Sequence, residues 1–191
     1  MSEQNTKSNT IELSRDVDAI LIPNGIPVFI PKGDKVVITQ ELGGNYTVYI
    51  NGNLARIDAK DRDALGFEKY NSSSVDIAKT KEIIGDGSID EEEIWNTLST
   101  CYDPEIPVDI VSLGLIYNVT IELLKTGGSK VLIDMTLTAP GCGMGPVLVE
   151  DVRTKLLKLV NVFEVEVQLV WDPQWSQDMM TDEAKLQLGM L

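Results

Sequence analysis

VLIDMTLTAPGCGMGPVLVEDVRTKL, residues 131–156, is the stretch on which a reading of this chain turns. Residues 131–137 are apolar and β-rich, as a buried strand requires. From Pro146 onward Leu148, Val152, Leu156 and Leu159 recur on one face, so the spacing predicts a helix over 146–159. Glu150 and Asp151 near its start and Lys155 and Lys158 near its end suit the helix dipole. Proline fits the first helical position, where its missing amide hydrogen has no intrahelical partner. Strand, glycine turn and helix in immediate succession imply a mixed α–β unit.

Working outward, residues 115–123 read as a strand that turns at Gly127-Gly128 and pairs antiparallel with 131–137. Further upstream, SIDEEEIWNTLSTC begins a helix at Ser88, with Glu91 completing a capping box and acidic residues 90–93 in the first turn. Ile94, Leu98 and Cys101 share a face, and Pro104 bounds the helix because the residue before a proline is pushed out of the α region. Downstream, 163–171 alternates as a strand with Glu164, Glu166 and Gln168 outward, and Thr181 opens a short helix with Gly189 past its end. The order α-β-β-α-β-α predicts a compact domain with a small mixed sheet.

The first third is different. Residues 18–57 alternate short β-rich runs with Asn24-Gly25, Gly33, Gly43-Gly44 and Asn51-Gly52, which predicts a small β meander or barrel. Asn51-Gly52 supplies the positive φ angles of a tight hairpin. The expected organisation is a disordered tail over 1–10, an all-β domain over 11–70, a linker over 71–87 and the α–β domain over 88–191. The linker is polar and broken by Gly85 and Gly87. The fold class is thus α+β, in two domains.

Composition removes several functions. The net charge is −14, with −2 in residues 1–70 and −12 in 71–191, which argues against nucleic acid. No apolar run is long enough to span a membrane, and the polar N-terminus carries no apolar export signal, so a soluble, cytoplasmic protein is expected. Two cysteines in 191 residues make no disulfide framework. With no histidine there is no Cys–His or Ser–His pair and no zinc site of Cys and His ligands.

That leaves Cys142 in its glycine loop. A sulfur just upstream of a helix N-terminus, beside free amide groups, is expected to have its pKa lowered and to be reactive. The alternative is a small buried hydrophobe in a tight turn. Gly141, Gly143 and Gly145 match neither a dinucleotide nor a P-loop glycine pattern, and no hydrolase constellation is local to the loop. Cys101, on an apolar helix face, is expected to be buried, and Trp171 to Trp175 to form a packed strand end and turn.

DPEIP (103–107), SLGLI (112–116), LTAPGC (137–142) and DPQW (172–175) occur in the order and spacing of the metal–sulfur cluster biosynthesis family, which includes PaaD-like proteins. Residues 26–44 and APGCGMG (139–145) resemble its SufT branch, with its extra N-terminal domain. The resemblance implies an auxiliary role in iron–sulfur cluster assembly, carriage or delivery, and no catalysed turnover. It maps the functional patch to Cys142 as metal ligand, with Asp103, Thr138 and Glu105, and Pro107 in the same motif.

A thiolate is the soft ligand such chemistry needs, but one cysteine cannot complete a four-cysteine site. The expected cargo is therefore a labile iron–sulfur cluster or iron, shared with another subunit, a small thiol or a client. The expected partners are iron–sulfur client or assembly proteins, or a second copy in a homodimer. An adaptor in the same pathway that binds no metal is the alternative.

Overall fold

The computed structural model describes residues 10–68 and 82–190. The expected tail, apart from Thr10, and most of the expected linker lie outside them. The chain divides into two compact units, Met1–Ser72 and Ser73–Leu191.

The first unit is one antiparallel sheet of six strands: β1 (Thr10–Glu12), β2 (Val17–Ile22), β3 (Ile26–Ile30), β4 (Lys35–Leu42), β5 (Asn45–Ile50) and β6 (Asn53–Ile57). Its order is β1-β4-β5-β6-β2-β3. The order is no simple meander, and no ladder joins β1 to β3 among the described residues, so hydrogen bonding does not close a barrel. Asn51 and Gly52 make the predicted tight hairpin, at φ 48° and 86°, with Ile50 opposite Asn53. Val36, Tyr46, Val48, Ala55 and Ile57 bury their side chains at its core.

The second unit runs α1 (Glu91–Leu98), β7 (Ile116–Leu123), β8 (Ser129–Met135), α2 (Gly145–Leu156), β9 (Val162–Leu169) and α3 (Asp182–Gln187). β8 is central, antiparallel to β7 and parallel to β9, so the sheet is mixed. One face of β8, Val131, Ile133 and Met135, packs in a core with Ile94 and Leu98 of α1 and Leu148, Val152 and Leu156 of α2. The helical spacing read from the sequence is thus buried as far as Leu156; α2 ends there, so Leu159, expected on the same face, lies beyond the helix and is only partly buried. The caps differ in detail. Asp90, not Ser88, caps α1, accepting from Glu92 N–H at 3.0 Å, because an aspartate next to the first turn reaches its amides directly. α1 also stops at Leu98, before Pro104 can act. Thr181 caps α3 as expected, through Ala184 N–H.

Residues 82–88 belong with this unit. Asn161, buried and at φ 63°, donates from Nδ2 to Ile84 O and Ser88 O, both at 2.8 Å, and accepts from Ile84 N–H at 2.9 Å. Ser129, fully buried, donates to Gly87 O at 2.9 Å. The contact demands glycine: a Cβ on Gly87 would come within 2.6 Å of Gly128 N, and one on Gly128 within 2.3 Å of Phe163 Cδ2. We expect a fragment of residues 82–191 to melt cooperatively on its own. One beginning at 89 strands the Asn161 amide and Ser129 hydroxyl, and its stability in urea is expected to fall by about 2–4 kcal/mol. Equal midpoints for the two fragments would refute the role of this clasp.

Candidate functional site

After α1 the chain passes through buried Cys101 into a loop built by aspartates. Asp103 Oδ1 accepts from the backbone N–H of Glu105 at 2.8 Å and of Ile106 at 3.0 Å. Asp109 repeats the device on Val111 and Ser112. Such side-chain turns hold a loop without a helix or sheet. Asp103 is only 6 % exposed, so it acts first as the scaffold of its motif. Burial pushes its carboxyl above the ordinary range against the pull of the two N–H donors, with the Glu105 charge adding to the rise. Glu105, by contrast, faces solvent.

The loop after β8 meets it. Cys142 Sγ donates to Glu105 Oε1 at 3.3 Å, joining segments far apart in sequence. Cys142 N–H donates to Ala139 O at 3.3 Å, and Gly145 N–H to Cys142 O at 3.0 Å, which closes the loop into two tight turns. Only Gly141 uses the left-handed region, at φ 79°. Gly145 is required for another reason, since a Cβ there would come within 2.6 Å of Leu137 Cδ1. α2 starts with Gly145 and Pro146, one residue beyond buried Met144, so Cys142 lies just outside the helix.

The electrostatics overturn one expectation. The Cys142 thiol is pushed up, not down. Burial is the leading cause; the hydrogen bond at the Met144 backbone pulls the other way, while the hydrogen bond and charge of Glu105 and the charge of Asp103 add to the rise. Burial, with the acidic neighbours added to it, outweighs the pull at the start of the helix. The half-buried sulfur is therefore a resting thiol. Cys101, with no exposure, is pushed up to about 12 by burial and donates weakly to Thr97 O at 3.9 Å.

Iodoacetamide is accordingly expected to label Cys142 in the native chain and Cys101 only on unfolding. Glu105→Gln removes the nearest negative charge and is expected to speed Cys142 labelling severalfold at pH 7 to 8. Faster labelling of Cys101, or slower labelling in Glu105→Gln, would contradict this electrostatic account.

Thr138 is not joined to Cys142 by a side-chain hydrogen bond among the described residues. It lines an adjacent recess of about 220 Å³ with Thr136, Pro140, Trp171, Gln174 and Trp175. Trp175 is anchored, its indole N–H donating to Leu113 O at 2.8 Å, whereas Trp171 is 46 % exposed. The reading of 171–175 as a packed turn thus holds for one tryptophan and not for the other. The pairing of two tryptophans around Asp172-Pro173, after a strand parallel to β8, was the signal for this wall. Among the described residues no group of three His, Cys, Asp or Glu is placed to hold a metal ion. None of their helices is long and apolar enough to cross a membrane. The arrangement brings one half-buried thiol and one exposed carboxylate together.

The family described as iron-sulfur cluster assembly protein matches residues 91–169, which span α1 to β9 and include Asp103, Glu105, Thr138 and Cys142. The Fe-S protein maturation auxiliary factor of Porphyromonas gingivalis is 46% identical over 101 residues, 53% of this chain and 92% of that protein. The Fe-S protein maturation auxiliary factor SufT of Staphylococcus aureus is 42% identical over 88 residues, 46% of this chain and 96% of that protein. The Fe-S protein maturation auxiliary factor YitW of Bacillus subtilis is 41% identical over 100 residues, 52% of this chain and 94% of that protein. Each relative is matched over nearly its whole length by about half of this chain. The N-terminal β unit lies outside the family match.

Proposed function

The chain belongs to the iron–sulfur cluster assembly protein family of SufT-type, PaaD-like members, and from that premise we propose that it carries or delivers a labile iron–sulfur cluster or iron to client proteins without catalysing a turnover. The observation that carries the reading is the Cys142–Glu105 contact, 3.3 Å across two loops that are far apart in sequence. The cluster is cargo, and the chain's part is to present one soft ligand to it.

The thiol must lose its proton to ligate iron, and metal binding drives that loss. Once ionised, Cys142 faces the Glu105 and Asp103 carboxylates, so the bare thiolate is disfavoured and a bound cation is what relieves the repulsion. The same residues thus favour a held metal over a free thiolate, while a single sulfur keeps the hold weak. Thr138 and the tryptophan wall border the site and are assigned to shaping its approach. The missing ligands come from a client, a small thiol or a second copy.

The adaptor reading, in which Cys142 touches no metal, draws support from the protonated thiol and the incomplete ligand set. Iron and sulfide analysis after anaerobic reconstitution, with and without added thiol, separates the two. A labile cluster that depends on Cys142 supports carriage. Its absence from the wild-type chain under every thiol condition would assign the adaptor role.

A further inference from the structure

Between the start of β7 and the turn after β9 lies an open groove of about 660 Å³. Its floor is apolar, from Ile116, Tyr117, Val170 and Met179, and two carboxylates, Asp134 and Asp172, line it. The groove is a fixed part of the fold. Tyr117 donates its hydroxyl proton to Pro173 O at 2.8 Å, and Val170 N–H donates to Met135 O at 2.8 Å. Gly114 closes against the same wall, where a Cβ would come within 2.3 Å of Met179 O.

The charges are uncompensated. Asp134 receives only a 3.4 Å contact from the Asn118 amide, and neither Asp134 nor Asp172 has a lysine or arginine partner among the described residues. Parallel strands β8 and β9 both end here, at the end of the sheet from which the Cys142 loop also departs. Crevices at the carboxyl ends of parallel strands are where open sheets bind ligands.

An apolar floor under two carboxylates without a cationic partner among the described residues matches a long side chain with a greasy stem and a cationic head, beside an apolar neighbour. We propose that this groove docks an extended segment of a partner protein carrying an arginine or lysine next to an apolar side chain. A second copy of this chain is not the occupant assigned to this groove, because residues 71–191 carry −12 and bring mostly like charge to its two carboxylates. The inference rests on the assembly-factor reading for taking the ligand to be a protein, and adds the chemistry by which that protein is held.

The test is a titration of the full 15N-labelled chain with acetyl-Gly-Leu-Arg-Gly-amide, without iron or sulfide, so its outcome is independent of cluster reconstitution. Amide shifts are expected to cluster at Gly114, Ile116, Tyr117, Asp134, Val170 and Asp172. Dissociation is expected in about the millimolar range, as suits a single short anchor. Binding is expected to weaken severalfold at high salt and by about tenfold in the Asp134→Asn/Asp172→Asn double variant. If that variant fails to fold, Asp172→Asn alone, at an exposed position, is expected to show about a threefold loss. Peptides with glutamate for arginine, or glycine for leucine, are expected to bind markedly less well.

No clustered shifts at saturating peptide would overturn the proposal. So would equal binding of the glutamate peptide, or binding unchanged by the folded carboxylate variants. Equal binding of spermidine would assign the groove to small cations and equally sink the docking segment.

Discussion

After anaerobic reconstitution, Cys142→Ser is expected to hold no iron or sulfide above background, whereas the wild-type chain gains a labile chromophore that strengthens with added thiol or on pairing. Serine keeps the size of the side chain and can still donate to Glu105, so the loop is retained. It loses the easily ionised, polarisable sulfur that iron requires. Because Cys142 is half-buried at the edge of the core, the change is expected to alter stability by less than about 1 kcal/mol, leaving the melting transition in place. The readout is absorption together with iron and sulfide content and native mass. A stable cluster in Cys142→Ser would refute carriage through this residue, because no other group on the described chain replaces it: Cys101 is sealed in the core, and histidine is absent. A tightly held four-iron cluster on a monomer without added thiol would equally refute it, since the described residues supply one accessible thiol.

The second large effect belongs to Asp103. Asp103→Ala leaves the amides of Glu105 and Ile106 without their acceptor, and stability is expected to fall by about 2–3 kcal/mol. Cluster retention is expected to drop with it, as Glu105 is no longer held against Cys142. Asp103→Asn keeps an acceptor oxygen and removes the charge, so the turn is expected to persist. The pH dependence separates the two roles. Asp103 titrates above its ordinary 3.8 in the folded chain. The folded state thus binds this proton more tightly, and the group's contribution is full below 3.8 and lost as pH rises through its higher folded value. The stability advantage of Asp103→Asn over the wild type is therefore expected to grow with pH in the window just above 3.8 and then level off. An advantage that shrinks over that window, measured by urea unfolding at a series of pH values, would show that the buried carboxylate is favoured in its charged form.

Much of this was legible in the residues. Helical spacing at Ile94 and Leu98, and at Leu148, Val152 and Leu156, marks the faces that are buried, because a helix repeat turns sequence distance directly into direction. The Asn51-Gly52 hairpin and the Thr181 cap were equally local, since each is decided by residues in immediate succession. The four motifs of DPEIP, SLGLI, LTAPGC and DPQW sufficed for the family, which the comparisons establish.

What the sequence by itself determined, then, was most of the elements, their buried faces and the family; β1 and the short helix over Ala59–Leu65 were not read from it. Strand order did not follow from it: β2 pairs not only with its neighbour β3 but also with β6, and β1 pairs with β4, choices made by long-range packing. Only the tertiary structure decided the chemistry of the lone sulfur. Read along the chain, Cys142 has a helix N-terminus ahead of it and a lowered pKa behind that inference. In the fold, the Asp103 turn swings Glu105 to 3.3 Å from the sulfur and burial withdraws water, so the resting group is a thiol. A helix end contributes only a partial charge, and the burial of the sulfur, with the Glu105 and Asp103 charges added to it, outweighs that pull.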